Sequence, residues 1–155
     1  MTVDRIRPAS AADGPALSEL AVRSKAHWGY DEGFMTACVP GLTISSSRLL
    51  AGPVFVAERG PSGPVGFVAL DLQGADGVEV THLFVDPPAM GTGIGRRLWE
   101  RAVAAALVAG APALLVESDP NAEPFYLRLG AQPVGHRPSS AVPDRQLPLL
   151  RLVLD

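Results

Sequence analysis

Apolar residues along the chain follow two rhythms, and the predicted element changes where the rhythm does. Short runs dominate from residue 54. Val54-Phe55-Val56-Ala57-Glu58 and Val65-Gly66-Phe67-Val68-Ala69-Leu70 flank Gly60-Pro61-Ser62-Gly63-Pro64, which predicts two strands joined as a hairpin. A second turn, Gly74-Ala75-Asp76-Gly77, leads into a strand over Val78 to Val85, so the three strands form an antiparallel meander. Two-residue alternation puts Glu79, Thr81, Leu83 and Val85 on one side of the last strand and Val80, His82 and Phe84 on the other, unless a bulge intervenes. Asp86-Pro87-Pro88 ends that strand, because proline offers no ladder donor.

The period then becomes helical. Ile94, Leu98, Ala102 and Ala105 form one stripe, with Arg96, Arg97, Glu100 and Arg101 largely off it. Gly110 stops the helix and Pro112 prevents its continuation. Ala113-Leu114-Leu115-Val116 is a short buried strand, parallel to Val78–Val85 because a helical crossover connects them. Upstream, Val3 to Arg7 reads as a strand ended by Pro8. Asp13 caps a helix with Pro15 in its first turn and Leu17, Leu20, Ala21 and Ser24 along one side. Asp31 to Ala37 suits a second short helix, ended by Pro40-Gly41. Downstream, Asn121 caps a helix that Gly130 closes, Ala131 to Val134 begins a strand, a proline-rich loop runs over residues 137–148, and Leu149 to Leu154 forms the last strand. No linker or repeat interrupts residues 1–155, so a single domain mixing α and β is expected.

Gly91, Gly93 and Gly95 stand between the strand end and the helix start. Glycines there let backbone approach a ligand, and the helix start points free N–H groups and a positive dipole end at one spot, which suits a phosphate or pyrophosphate. A P-loop needs lysine followed by Ser or Thr, and Arg96-Arg97 stand there instead. The dinucleotide fingerprint G-x-G-x-x-G meets Arg96 or Leu98 where it requires glycine; an acidic residue after the next strand, Glu117, is the one feature in favour of an oxidoreductase.

Composition narrows the classes further. At 155 residues, 47% hydrophobic and 19% charged, the chain can bury a real core. A net charge of −3 disfavours nucleic acid as a partner. Cys38 stands alone, which excludes an internal disulfide and fits a reducing cytoplasm. MTVDRIRP has no apolar h-region, so no signal peptide is expected, and the longest uncharged stretch, Ala102 to Val116, is too short for a bilayer. No membrane contact is expected. No cluster has metal-ligand spacing, so no metal is expected either.

Met90-Gly91-Thr92-Gly93-Ile94-Gly95 resembles the (Arg/Gln)-x-x-Gly-x-(Gly/Ala) loop of the GNAT superfamily of acyl-CoA-dependent N-acyltransferases, with Met90 in the family's Arg/Gln place. Asn121, Tyr126 and Gly130-Ala131 match its second signature, Asn-x-x-(x)-x-Tyr-x-x-x-Gly-(Phe/Ala). The resemblance implies a mixed, mostly antiparallel sheet of six to seven strands with flanking helices. In it the parallel pair Val78–Val85 and Ala113–Val116 splays apart. It further implies transfer of an acetyl or other acyl group from acetyl-CoA to a primary amine of a small molecule or peptide, in the cytoplasm and without a metal. Dimers are common among such proteins, so a homodimer is an expectation. A non-catalytic acyl-CoA sensor is the alternative, although its mark would be loss of Tyr126.

Residue by residue, the resemblance implies that amides from Met90 through Gly91, Thr92, Gly93, Ile94 and Gly95 to Arg96 hold the pyrophosphate. Leu83, Phe84 and Val85 would pair with the pantetheine arm, and an N–H near Leu83 or Phe84 would polarise the thioester carbonyl. Tyr126 would be the general acid, and Asn121 a bond to the cofactor arm, a helix cap or both. Glu79 is the first candidate for the base and His82 the second, against the plain alternative of a solvated carboxylate. Trp28 and Tyr30 either line the acceptor pocket or cover the core.

Overall fold

The computed structural model describes residues 4–154, and Val3 lies outside them. Seven strands make one sheet: β1 (Asp4–Pro8), β2 (Val54–Arg59), β3 (Pro64–Asp71), β4 (Val78–Val85), β5 (Ala113–Glu117), β6 (Gln132–Pro138) and β7 (Gln146–Val153). Their spatial order is β1-β2-β3-β4-β5-β7-β6, and only β4 and β5 run parallel. The meander falls at the expected turns. Glycine and proline between short β-branched runs leave the chain no alternative to reversing there.

Helices cover both faces. α1 (Gly14–Ala26), α2 (Glu32–Leu42) and α3 (Ser46–Ala51) precede the meander, α4 (Ile94–Val108) crosses from β4 to β5, and α5 (Glu123–Arg128) follows β5. Two apolar clusters result. One joins Ile94, Leu98, Trp99, Ala102 and Ala106 of α4 to Val68, Val78, Val80, Leu114, Val116 and Tyr126. The other joins Leu17, Leu20 and Ala21 of α1, Cys38 and Leu42 of α2, and Val56, Phe67 and Ala69 from the sheet's opposite face. Each Leu sealed this way contributes on the order of 2 kcal/mol of burial free energy. Among the described residues no helix is long and apolar enough to cross a membrane.

Several boundaries differ from expectation, each for a local reason. Asp13 precedes α1, but its carboxylate does not cap that helix: it binds Arg7 at 2.8 and 2.9 Å and accepts from the Ser10 N–H at 2.7 Å in the capping box of the preceding 3₁₀ turn. Pro40 does not end α2. The helix runs to Leu42, with the Thr43 N–H donating to the Val39 carbonyl at 3.1 Å, since proline costs only its own bond near a helix end. α3, capped by the Ser45 hydroxyl at the Arg48 N–H, has six residues, too few to show a period. Asn121 caps nothing. It sits in a 3₁₀ turn whose first N–H groups are met by Asp119, and α5 starts at Glu123. The last strand begins at Gln146, earlier than Leu149, because β6 on its other side supplies partners for it from Pro138 onward.

Candidate active site

β4 and β5 are paired for only three residues, Val78, Glu79 and Val80 against Leu114, Leu115 and Val116. Beyond that β5 keeps to β7 and β4 keeps to β3, so a gap opens between the parallel strands. The Asp86 N–H donates to the Val65 carbonyl on β3 at 2.8 Å, while the Leu70 N–H turns the other way, to Pro53 at 2.9 Å. Strand alternation therefore aims the backbone groups of Phe84 and His82 at β3 and those of Leu83 and Val85 into the gap. Phe84 supplies its ring to the α1–α2 face, not its amide to the opening.

At the far end of β4 the glycine loop builds a cradle. Gly91 has φ 78° and Gly93 φ 89°, values an L side chain rarely adopts, and nothing lies within 4 Å of where a Cβ would stand on either. Gly93 is the N-cap of α4, so the free amides of that helix face this open space. Gly95 serves packing: a Cβ there would stand 3.2 Å from the Phe125 ring. Met90, Gly91, Gly93, Gly95 and Arg96 line the cavity, whereas Thr92 and Ile94 brace the loop from behind. The Thr92 hydroxyl donates to the Ala89 carbonyl, and Ile94 is 1% exposed in the core.

The cradle and the gap belong to one cavity of about 770 Å³ that passes from the α4–α5 face to the α1–α2 face. Tyr126 lines it from α5, with its ring against Trp99 at 5.3 Å and Phe125 at 5.0 Å between centroids. Burial pushes its phenol far above the ordinary value, and Asp119 adds to the shift, so the hydroxyl keeps its proton at neutral pH. Gly130, at φ 97°, ends α5 in a Schellman turn. Its N–H reaches the Leu127 carbonyl and the Ala131 N–H reaches the Tyr126 carbonyl, which fixes the tyrosine's place.

Thr81 is a bulge in β4: Ala69 pairs with His82 and Leu70 with Val80, leaving Thr81 without a partner. The extra residue reverses the alternation. Val78, Val80, Leu83 and Val85 all meet the α4 cluster, so Glu79 shares the opposite face with His82 and Phe84. Glu79 is bound to Arg137 at 2.9 Å and is not part of the cavity wall. Glu117, at the end of β5, does line the cavity. Burial pushes its carboxyl up, Arg137 at 3.8 Å opposes this, and Glu79 adds to it. His82 lines the cavity too, but both ring nitrogens are engaged. Nε2 lies 2.8 Å from the Gly41 carbonyl, which can only accept, so that nitrogen carries the hydrogen and Nδ1 meets the Thr81 hydroxyl at 2.9 Å. Burial lowers its pKa, which keeps the ring neutral.

On the α1–α2 face the side chains converge on Asp119. Its carboxylate accepts from the Tyr30 phenol at 2.8 Å, the Lys25 ammonium at 3.1 Å, and the backbone N–H and side-chain amide of Asn121 at 2.8 and 3.0 Å. Tyr30 is stacked 4.0 Å from Phe34, stands behind the cavity wall and holds this hub, while Trp28 lines the cavity directly. Arg23 reaches Asp86 at 3.1 Å, so the end of α1 spans the mouth of the gap, tied to the end of β4 by Arg23 and to the end of β5 by Lys25. The sequence alone offers no sign of the part played by Lys25, Asp119 or Arg145. Lys25 and Asp119 lie 94 positions apart, and no local signal joins them.

A family model for the acetyltransferase (GNAT) domain matches residues 51–139, more than half of the chain. Over 112 residues the chain is 34% identical to the peptidyl-lysine N-acetyltransferase YjaB of Salmonella typhimurium, covering 71% of this chain and 70% of that one. The chain belongs to the GNAT family. Solved GNAT structures share its fold. The GCN5-related N-acetyltransferase of Rhodopseudomonas palustris superposes with a TM-score of 0.81 at 22% identity, over 99% of this chain and 98% of its own. Salmonella typhimurium yncA, solved with its cofactor acetyl-CoA, does so with a TM-score of 0.68 at 24% identity, over 99% and 95%. Membership in this family of acetyltransferases sets the dinucleotide-oxidoreductase alternative aside.

Proposed function

We propose that this GNAT protein is a single-domain cytoplasmic enzyme that moves an acetyl group from acetyl-CoA to a primary amine. One observation carries the reading: an open-φ glycine cradle at a helix start, unpaired strand amides and a buried, protonated tyrosine all face one cavity. The residues suit coenzyme A. The cradle leaves room for a pyrophosphate against the amides between Met90 and Arg96, and the unpaired groups of Leu83 and Val85 suit a pantetheine arm lying in the gap as an added strand. The Met90 side chain brings no charge to the cradle, so backbone amides and the cationic Arg96 carry the anion.

Acetyl-CoA supplies a thioester whose carbonyl carbon an amine attacks directly, forming C–N as C–S breaks. The chain's part is electrostatic and protonic. The Leu83 N–H suits the carbonyl oxygen as charge builds on it. The Tyr126 phenol donates its proton to the leaving sulfur. The amine proton passes to Glu117, which is favoured over Glu79 because Glu79 is tied to Arg137 outside the cavity, and over His82 because both nitrogens of that ring are occupied. Asn121, which shares the Asp119 hub with Tyr30, also lines the cavity where the arm would pass.

The test is release of free thiol from acetyl-CoA across a panel of amines, with coenzyme A affinity measured beside it. Turnover with at least one amine is the expected result. Tight binding with no thiol released from any of them would instead establish the non-catalytic sensor. Gel filtration at two concentrations tests for the homodimer.

A further inference from the structure

The α1–α2 end of the cavity holds more positive than negative charge, and its cations are largely covered. The side chains of Lys25 and Arg145 are 14% and 18% exposed, and both line the cavity. They share one carboxylate, Asp119, at 3.1 and 3.6 Å. Asp119 is already engaged by the Tyr30 phenol and by Asn121. Tyr30 adds no second negative charge, because burial and then Asp119 push its phenol above the ordinary value.

Donors are left over. An ammonium has more N–H groups than the one bond Lys25 gives to Asp119. Arg145 gives one bond to the Tyr30 phenol at 2.8 Å and its guanidinium carbon stands 4.7 Å from the centre of the Phe34 ring, and its fork carries more N–H groups than that one bond uses. Trp28, Cys38 and Leu42 add apolar surface to the lining of the same cavity. The cavity's remaining carboxylate, Glu117, sits beside its own cation, Arg137, at 3.8 Å.

Resting on the reading that this cleft acylates amines, we propose that the acceptor carries a carboxylate as well as its amine. It is a free α-amino acid with an apolar side chain, its carboxylate on Lys25 and Arg145, its amine toward Glu117 and its side chain against Trp28 and Leu42. A polyamine, or a lysine within a basic peptide, meets the same two cations and is turned away by like charge.

The experiment titrates the full chain, loaded with coenzyme A, with L-phenylalanine and phenethylamine, and with L-leucine and isoamylamine, pairs that differ only in the carboxylate. The amino acids bind roughly 10- to 100-fold tighter than their partners, the range for charge-assisted hydrogen bonds. Lys25→Met and Arg145→Met each bring that ratio toward one, with coenzyme A affinity reporting that the variant is folded. Equal binding within the wild-type pairs overturns the proposal, whatever the variants do, and so do variants that weaken both partners alike. Thiol release measured in parallel separates the two readings. Carboxylate preference without any release defeats the transfer reading and leaves the carboxylate site standing. Release with no preference leaves the transfer reading standing and defeats this one.

Discussion

The two faces of the cleft are built on different principles. On the α4 side the site is made of main chain: strand amides, positive-φ glycines and a helix start, all within the contiguous stretch from Leu83 to Arg96. On the α1 side it is made of side chains, with Lys25 and Tyr30, Asp119, and Arg145 drawn from three separate stretches of the chain. Backbone recognition demands particular φ values at particular spacings and so leaves a pattern in the sequence. Side-chain recognition demands only that the groups meet in space. The first kind suits a donor that every member must hold, the second an acceptor that can change.

Breaking the chemistry at the junction of the faces has the largest effect. Tyr126→Phe keeps the ring in its packing against Trp99 and Phe125 and removes the proton, so kcat should fall about 10²- to 10⁴-fold with coenzyme A affinity nearly unchanged, as steady-state kinetics and calorimetry would show. An equal loss of affinity would make the residue a binding group instead. Glu117→Gln should lower kcat by about 10²-fold and remove the acid limb of the pH–rate profile. The sign follows from the shift. Burial raises this carboxyl, the active form is the ionised one, and activity therefore climbs with pH through a midpoint above the ordinary carboxylate value of 4.5.

Gly93→Val tests the main-chain face alone. The space there is open, so the cost is conformational: a β-branched residue held at φ 89° pulls the amides off target. Coenzyme A affinity should drop about tenfold, with the carboxylate preference of the other face untouched. The smallest effect concerns how α1 is anchored. Asp13 binds Arg7, and this holds its carboxyl down at about 2 from 3.8. A depressed acid stabilises the fold above its unfolded pKa and loses that contribution as pH falls through the folded one. Solvent at the rim screens the pair, so Asp13→Asn should cost about 1 kcal/mol in urea unfolding near pH 6 and almost nothing near pH 2.

Most of the sheet was readable because β2, β3 and β4 are short apolar runs closed by Gly and Pro, and α4 because its stripe is fifteen residues long. The bulge at Thr81 was not readable. It is held among tertiary bonds, the Arg48 guanidinium to the Thr81 hydroxyl at 2.9 Å and the His82 ring to Gly41, and it reversed the face assigned to Glu79. The cradle could be read from the spacing of its glycines. That the backbone groups of Leu83 and Val85, and not those of Phe84, face the gap needed the direction of the Asp86 N–H. Tyr126 stood out only through the resemblance to the family's second signature, in which Gly130, here at φ 97°, holds the turn. Asp119 gave no signal, because nothing within ten positions shows the lysine and arginine that reach it.

A sheet that stops pairing halfway through its centre is short of bonds that a guest can supply. Whatever lies along Leu83 and Val85 serves as a temporary rung, and by mass action the folded state gains in step with the guest's concentration. The melting point of this protein should accordingly act as a thermometer of donor supply, and the proposed donor would be both a reagent and a missing piece of the architecture.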